Sequence, residues 1–240
     1  MERNIVKLQG VNIDTFTFEE AVEYAKTISG QVVTVNPEMI DNAVKNKEFA
    51  EILNNADLVI PDGVGVELGL KILGHSVKRI AGVEFSHRMI EECAKNNQSV
   101  ALVGAKPEIV EKAKENLLKE LPGLYITYAH DGYFKDDEVI LKELQIRQPR
   151  LVLCAIGSPR QEEFNAKAKS LLPESLFIGV GGSFDVWSGV VKRAPKIYQK
   201  LCIEWLYRTV MDPKRFKRIF PTLPLFVLKV LRERFIPKGV

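Results

Sequence analysis

The stretch LVLCAIGSPRQEEF, residues 151–164, contains the transition that decides the fold. Its first six residues are apolar, which is typical of a strand buried on both faces of a sheet. Gly157 then allows a tight turn, and Pro159 falls in the first turn of a helical pattern that runs to Leu172. A buried strand followed at once by a helix predicts one half of a βαβ unit.

The same alternation recurs along most of the chain. The apolar run VALVG at residues 100–104 precedes a helical pattern over Pro107–Glu120, and a short strand over Ile5–Leu8 precedes an amphipathic helix. Strands of the main sheet are predicted over Gln31–Asn36, Asp57–Pro61, Ser99–Gly104, Leu124–Ala129, Leu151–Gly157 and Leu176–Gly181. This alternation predicts an α/β fold with a largely parallel, Rossmann-like sheet and helices on both faces.

The C-terminal part differs from the rest in charge and pattern. Residues 192–240 contain 13 Lys or Arg and 3 Asp or Glu, a local net charge of +10, whereas the whole chain carries +3. We therefore divide the chain into an α/β domain, residues 1–194, and a basic helical appendage, residues 195–240. A basic segment on an acidic body indicates an anionic partner, either nucleic acid or a membrane surface. The helical patterns of the appendage are Lys196–Val210, Pro213–Ile219 and Leu223–Arg234.

The N-terminal segment, the apolar runs and the cysteines together predict a protein of a reducing compartment. The N-terminal residues are charged and lack the apolar core of a signal peptide, and no apolar run approaches the roughly 18 residues of a spanning helix. The three cysteines, Cys93, Cys154 and Cys202, lack metal-binding spacing and are expected to be thiols in the core. No metal motif is found. We therefore expect a cytoplasmic protein without a metal or another cofactor.

Residues directly after the predicted strands are the candidates for a site, because open parallel sheets bind ligands beyond the carboxyl ends of their strands. Three of these turns carry glycine, at Gly104, Gly157 and Gly181. There the backbone can approach a phosphate at the start of a helix, but tight βα turns need glycine as well, so both interpretations stand. A dinucleotide fingerprint is excluded because Phe184 occupies its third glycine position, and neither a Walker lysine nor a nucleophile elbow is present.

Asp62 is the most informative acidic residue. It follows an apolar strand that ends at Pro61, at the edge of the predicted cleft. A carboxylate in that position can accept a proton from an attacking hydroxyl group. The alternative is that Asp62 caps the following helix, Val64–Leu73, a position that aspartate favours. From the residues alone both roles stay open.

Five segments form a specific combination: PDG at 61–63, HDGYF at 130–134, GSPRQE at 157–162, GVGGSFDVWSGVVKRAP at 179–195 and EWLYR at 204–208. Together they resemble the TagA/WecG/CpsF family, glycosyltransferase family 26. The resemblance implies an inverting transfer of a sugar, typically N-acetylmannosamine, from a UDP-sugar to a GlcNAc-diphosphate-polyprenol, as in synthesis of the teichoic acid linkage unit. Family members also transfer glucosyl or glucuronosyl groups, so another UDP-sugar donor stays open.

The resemblance also assigns roles to individual positions, with Asp62 as the catalytic base. By the resemblance, the positions expected to bind substrate or donor are Thr34, Asn36, Gln161, Arg208, Arg215 and Arg218. Position at the end of a predicted strand adds Gly104, His130, Gly181 and Gly182 to the expected binding residues. The three arginines are expected to stabilise the departing diphosphate, because no Asp-x-Asp motif is present to hold a metal, or alternatively to contact anionic lipid. For His130 a contact with phosphate or uracil and a structural role stay equally open. Asp185 is expected to order its turn rather than to react.

The appendage is expected to bring the enzyme to its lipid-linked acceptor. Phe226, Leu231, Phe235 and Ile236, among basic residues, predict a segment lying in the bilayer interface. The enzyme would then associate peripherally with the inner face of the cell membrane. The alternatives are a helix that packs on the domain and a surface for homo-oligomer formation. A non-catalytic UDP-binding membrane module is the main rival to an enzyme, and nucleic-acid binding lacks a motif.

Overall fold

The computed structural model of this protein describes residues 2–191 and 213–235, with side chains for residues 2–191 and 223–235. Its strands are β1 (Ile5–Leu8), β2 (Val11–Asp14), β3 (Gly30–Val35), β4 (Leu58–Pro61), β5 (Ser99–Gly104), β6 (Tyr125–His130), β7 (Leu151–Ala155) and β8 (Leu176–Gly179). Its helices are α1 (Phe18–Thr27), α2 (Pro37–Lys45), α3 (Lys47–Asn54), α4 (Val64–Ile72), α5 (Gly82–Lys95), α6 (Pro107–Glu120), α7 (Asp137–Arg147), α8 (Arg160–Leu171), α9 (Ser183–Trp187) and α10 (Pro213–Phe235).

Six strands form one parallel sheet in the order β4-β3-β8-β7-β5-β6. Successive side chains of β7 point to opposite faces. Leu151 and Leu153 join a buried cluster with residues of α1, α5 and α6, whereas Val152 and Cys154 join a second cluster with residues of α7 and α8. Helices therefore cover both faces, which is why β7 is apolar throughout. The predicted α/β class with a parallel Rossmann-like sheet is confirmed.

The predicted boundaries are most accurate where local signals are strong. β5 and α6 have the predicted bounds, and β7 begins as predicted but ends two residues earlier, at Ala155. The sequence prediction missed β2, which pairs antiparallel with β1. Gln9 and Gly10 form the two-residue turn between them, with φ angles of 52° and 84°, as in the type I′ turns that connect hairpins.

The described part of the appendage is one helix where the sequence predicted two. α10 continues through Pro221 and Pro224, residues that lack a backbone N–H and usually interrupt helices. The predicted helix over Lys196–Val210 lies outside the described residues.

One face of α10 packs on the α/β domain beside α2 and α4. Phe226 and Val230 are 1% and 0% exposed and join a buried cluster with Leu8 and Leu70. The prediction that Phe226 faces a bilayer is therefore wrong, because the apolar stripe that contains it is used for packing within the chain. No helix in residues 2–191 and 213–235 is long and apolar enough to cross a membrane.

The opposite face of α10 carries a different set of apolar side chains. Leu225, Leu228 and Phe235 are 55%, 61% and 72% exposed. These three residues are called the exposed apolar stripe of α10. The same helix also forms an ion pair with the domain, between Lys229 and Asp41 of α2.

Candidate active site

A cavity of about 710 Å³ lies beyond the carboxyl ends of β3, β4, β7 and β8. β3 and β8 are adjacent in the sheet, and β4, the strand that follows β3 in sequence, lies on the other side of β3. Clefts of this kind, beyond the carboxyl ends of parallel strands, are the usual ligand sites of open α/β sheets. The polar side chains in its wall are Thr34, Asn36, Glu38, Asp62, Arg79, Ser158, Gln161, Ser183 and Asp185.

Asp62 is a partly buried residue of the cavity wall, immediately after β4. Its backbone N–H donates a hydrogen bond of 2.8 Å to the carbonyl oxygen of Val35, which ties the turn to the end of β3. α4 has Gly63 as its N-cap residue, so the alternative that Asp62 caps this helix is wrong. The position supports the other alternative, in which the carboxylate serves a ligand in the cavity.

Thr34 and Asn36 reach the same cavity from the end of β3. The Thr34 hydroxyl group donates to the carbonyl oxygen of Gly179 at 3.3 Å, which joins the ends of β3 and β8. Asn36 is the N-cap residue of α2, and its Oδ1 accepts the N–H of Met39 at 3.0 Å. Because the cap uses the oxygen, the Nδ2 amide group is the remaining hydrogen-bonding group of this side chain.

Gln161 approaches the cavity from the opposite side, at the start of α8. It is 5% exposed. Its Oε1 accepts the backbone N–H of Gly181 at 3.2 Å, and its Nε2 donates to Glu162 Oε1 at 2.7 Å. The first contact holds the turn after β8, and Gly181 and Gly182 of this turn both line the cavity. The structure thus brings these predicted residues together with Asp62.

Gly104 and His130 are not among the residues that line this cavity. They end β5 and β6, on the far side of β7. A Cβ atom at Gly104 would lie 2.4 Å from the carbonyl carbon of Ala155, so the absence of a side chain serves the packing of neighbouring strands. His130 Nδ1 lies 2.8 Å from the carbonyl oxygen of Asp131, and its ring stacks on Tyr128.

The three arginines of the appendage are only partly within the described chain. Arg208 lies outside the described residues, and Arg215 and Arg218 lie in α10 but their side chains are outside the described part. Leu223, further along the same helix, lines the cavity. The helix that carries two of these arginines therefore passes the cavity.

The sequence prediction missed Arg79. This residue lies in the irregular segment between α4 and α5, and it is the one cation among the described residues of the cavity wall. Its backbone N–H donates to Glu67 Oε2 at 3.1 Å, which ties the segment to α4. No motif marks it, and it precedes a helix instead of following a strand, so the rule that locates ligand sites in parallel sheets does not point to it.

The cavity also contains carboxylates besides Asp62. Asp185, on α9, and Glu38, on α2, both line it. The carbonyl oxygen of Asp185 accepts hydrogen bonds from Ser188 Oγ at 2.9 Å and from the N–H of Val191 at 2.9 Å, which order the turn after α9. Within the described part of the chain, no three His, Cys, Asp or Glu side chains are grouped so that they could hold a metal ion.

The fold and this cleft define an α/β protein with a Rossmann-like sheet and a candidate ligand site at the carboxyl edge of that sheet. The chain belongs to the WecG/TagA/CpsF family of glycosyl transferases, whose family model matches residues 6–239. The resemblance of the five sequence segments to this family is thereby confirmed, and the chain is a glycosyltransferase.

Named relatives match most of the chain. A protein of Bacillus subtilis (strain 168) is 34% identical over 217 residues, which span 88% of this chain and 84% of the relative. A protein of Staphylococcus aureus (strain MW2) is 32% identical over 241 residues, which span 95% of this chain and 93% of the relative. Both relatives are named N-acetylglucosaminyldiphosphoundecaprenol N-acetyl-beta-D-mannosaminyltransferase.

Proposed function

We propose that this protein transfers N-acetylmannosamine from UDP-N-acetylmannosamine to a GlcNAc-diphosphate-polyprenol, in the synthesis of a cell-surface polymer such as teichoic acid. The observation that carries the proposal is that Thr34, Asn36, Asp62 and Gln161, from three separate parts of the chain, meet at one cavity. The names of the relatives from Bacillus subtilis and Staphylococcus aureus support the same acceptor and the same sugar.

In the proposed reaction Asp62 is the general base. Its carboxylate accepts the proton of the acceptor hydroxyl group while the hydroxyl oxygen forms a bond to the anomeric carbon of the donor sugar. The bond between that carbon and the diphosphate oxygen breaks, and UDP leaves with the electron pair. A single displacement of this kind inverts the configuration at the anomeric carbon. Thr34, Asn36 and Gln161 hold the reactants in the geometry that this displacement needs.

The departing diphosphate gains negative charge, and cationic donors at the cavity stabilise it. Arg79 supplies one such donor from the cavity wall. We propose that Arg208, Arg215 and Arg218 of the appendage contribute as well, since α10 passes the cavity at Leu223. Guanidinium groups suit this role because their N–H groups match the spacing of diphosphate oxygens.

Replacing Arg79 by alanine is expected to lower kcat/KM for the UDP-sugar by about 10- to 100-fold, the loss of one charge-assisted hydrogen bond. Arg79→Lys should recover part of the activity, because it keeps the charge without the planar fork. Steady-state kinetics measure both effects. Arg147→Ala is the matched control, because Arg147 is an exposed residue of α7 that pairs with Glu143. Equal kcat/KM in Arg79→Ala and wild type would remove Arg79 from the proposal.

The proposed function is tested by UDP release from UDP-N-acetylmannosamine, with and without a short-chain GlcNAc-diphosphate-lipid. Release that depends on the acceptor, with a product of inverted anomeric configuration, is the expected result. Release from another UDP-sugar instead would keep the reaction class and change the donor. If the protein bound UDP tightly but turned over no UDP-sugar, the proposed function would be wrong, and the protein would be a non-catalytic nucleotide-binding module.

We also propose that the exposed apolar stripe of α10 contacts the membrane that holds the acceptor. The stripe belongs to the C-terminal segment, residues 192–240, which has a net charge of +10, and basic residues near an anionic surface add about 1 kcal/mol each to binding. The protein would then associate peripherally with the inner face of the membrane, with the domain-packing face of α10 remaining in place.

Leu225→Ser combined with Leu228→Ser is expected to weaken binding to anionic vesicles at least about tenfold, because two exposed leucines no longer enter the interface. Vesicle sedimentation at low and high salt measures the effect. High salt should also weaken the binding of the wild-type protein to the vesicles, because it screens the attraction between basic residues and anionic lipids. Ile146→Ser is the control, because Ile146 is 76% exposed on α7, which packs on α8 and β6, whereas α10 packs on α2 and α4. Unchanged sedimentation of the double variant would assign the stripe to another contact, such as self-association.

A further inference from the structure

The inward face of α8 carries polar side chains that are buried beneath the cavity. Gln161, Glu162 and Asn165 are 5%, 2% and 0% exposed. α8 packs against β3 and β8 at this point, and Gln31 Nε2 of β3 donates to the carbonyl oxygen of Glu162 at 3.0 Å. Gln161 lines the cavity, whereas Glu162 does not. Glu162 is therefore a buried carboxylic acid that the proposed reaction leaves without a role.

The two contacts of the Gln161 amide group define its orientation. The backbone N–H of Gly181 donates to Oε1, and Nε2 donates to Glu162 Oε1. A rotated amide would turn its NH₂ group towards another donor at Gly181 and its oxygen towards the oxygen of Glu162, so both contacts would become unfavourable. Nε2 carries two N–H groups, and only one is needed for Glu162. Among the described residues the second N–H has no hydrogen-bond acceptor, and a ligand oxygen in the cavity that Gln161 lines can take this place.

We propose that Glu162 is a positioning residue, which holds the Gln161 amide so that an N–H donor faces the cavity and binds an oxygen of the sugar nucleotide. The inference rests on the proposed function for the identity of that ligand. Glu162 itself touches no substrate. It acts through Gln161, and Gln161 in turn holds the Gly181 turn, so one buried carboxyl group orders two parts of the cavity wall.

Stability alone does not account for a glutamate in this position. Within the described residues, Glu162 Oε2 has no hydrogen-bond partner. Burial raises the pKa of Glu162 above its ordinary value, although the polar side chains of Gln161 and Ser158 beside it lower it. When the pKa of a carboxyl group is higher in the folded than in the unfolded state, the folded protein becomes less stable as the pH rises above the unfolded-state pKa. Removing the carboxylate is therefore expected to leave Tm at pH 8 unchanged or higher.

Glu162→Met and Glu162→Gln form the matched pair of variants for the test. Methionine fills similar space without an acceptor oxygen, so KM for UDP-N-acetylmannosamine is expected to rise about tenfold, with a smaller change in kcat. Glutamine offers Gln161 an amide oxygen in the same place and should keep KM within about twofold of wild type. A merely structural role predicts the reverse for methionine, a lower Tm with an unchanged KM.

Two further measurements complete the test. In a Gln161→Ala background, Glu162→Met should add almost nothing to KM, since residues that act as a unit are not additive. Hydrogen exchange at the Gly181 amide, followed by NMR in the full chain without ligand, should accelerate in Glu162→Met and not in Glu162→Gln. The hydrogen-exchange measurement needs no turnover. It therefore tests the inference even if UDP-N-acetylmannosamine is not the donor. Unchanged Gly181 exchange in Glu162→Met, or a full additional KM effect without Gln161, would overturn the inference.

Discussion

Replacing Asp62 by asparagine is expected to lower kcat by about 10²- to 10⁴-fold, the usual contribution of a positioned general base. Asparagine keeps the size of the side chain but cannot accept the proton of the acceptor hydroxyl group. The Tm is expected to stay close to that of wild type, because Gly63 rather than Asp62 is the N-cap residue of α4. UDP release at saturating donor and acceptor, together with thermal unfolding, measures both quantities.

Asp185→Asn is the matched control for Asp62. Asp185 also lines the cavity, but it is the backbone carbonyl oxygen of this residue that accepts hydrogen bonds from Ser188 and Val191 and so orders the turn after α9. Its substitution is therefore expected to change kcat much less than Asp62→Asn does. If Asp62→Asn retained near-normal turnover while Asp185→Asn lost it, the base would be Asp185 and the assignment of Asp62 would be wrong.

Gly104→Ala is expected to lower the free energy of unfolding by about 2–6 kcal/mol, through steric overlap and backbone strain together. The added Cβ atom would lie 2.4 Å from the carbonyl carbon and 2.5 Å from the carbonyl oxygen of Ala155, with φ at 133°. The atoms it meets are backbone atoms of the neighbouring strand β7, which have little freedom to move. This is a large part of the roughly 5–15 kcal/mol that stabilises a typical domain. Urea unfolding measures the change.

Gly10→Ala is the control for backbone strain without overlap. Gly10 has a φ of 84°, and nothing lies within 4 Å of an added Cβ atom. Its substitution is expected to cost about 1–2 kcal/mol, clearly less than Gly104→Ala. The pair also decides the role of Gly104. If Gly104→Ala raised the donor KM and left the free energy of unfolding unchanged, Gly104 would bind the donor, as the sequence predicted, and strand packing would not be its role.

The candidate site could be predicted in part because it follows a general rule of parallel sheets. Thr34, Asn36 and Asp62 stand at or directly after strands β3 and β4, and Gly181 follows β8, so the strand pattern alone placed them at one edge. Arg79 escaped prediction because it belongs to an irregular segment. Its approach to the cavity depends on the path of the chain between α4 and α5, which no local pattern specifies.

The role of Glu162 also depends on tertiary contacts. In the sequence it is one of two consecutive glutamates at the start of α8, where acidic residues are common for electrostatic reasons. Only the packing of α8 against β3 and β8 shows that Glu162 is buried while its neighbour Glu163 is exposed. The amide orientation of Gln161 follows from that burial.

By itself, the sequence determined the alternation of strands and helices, the basic appendage and the residues that follow each strand, because apolar periodicity and turn residues act locally. The tertiary structure alone decided the strand order, which brings Gln161 and Asp62 to one cavity and leaves Gly104 and His130 beyond β7. It also decided which apolar residues of α10 are buried. An amphipathic pattern specifies that a face must be covered, but the covering surface comes from parts of the chain far away in sequence.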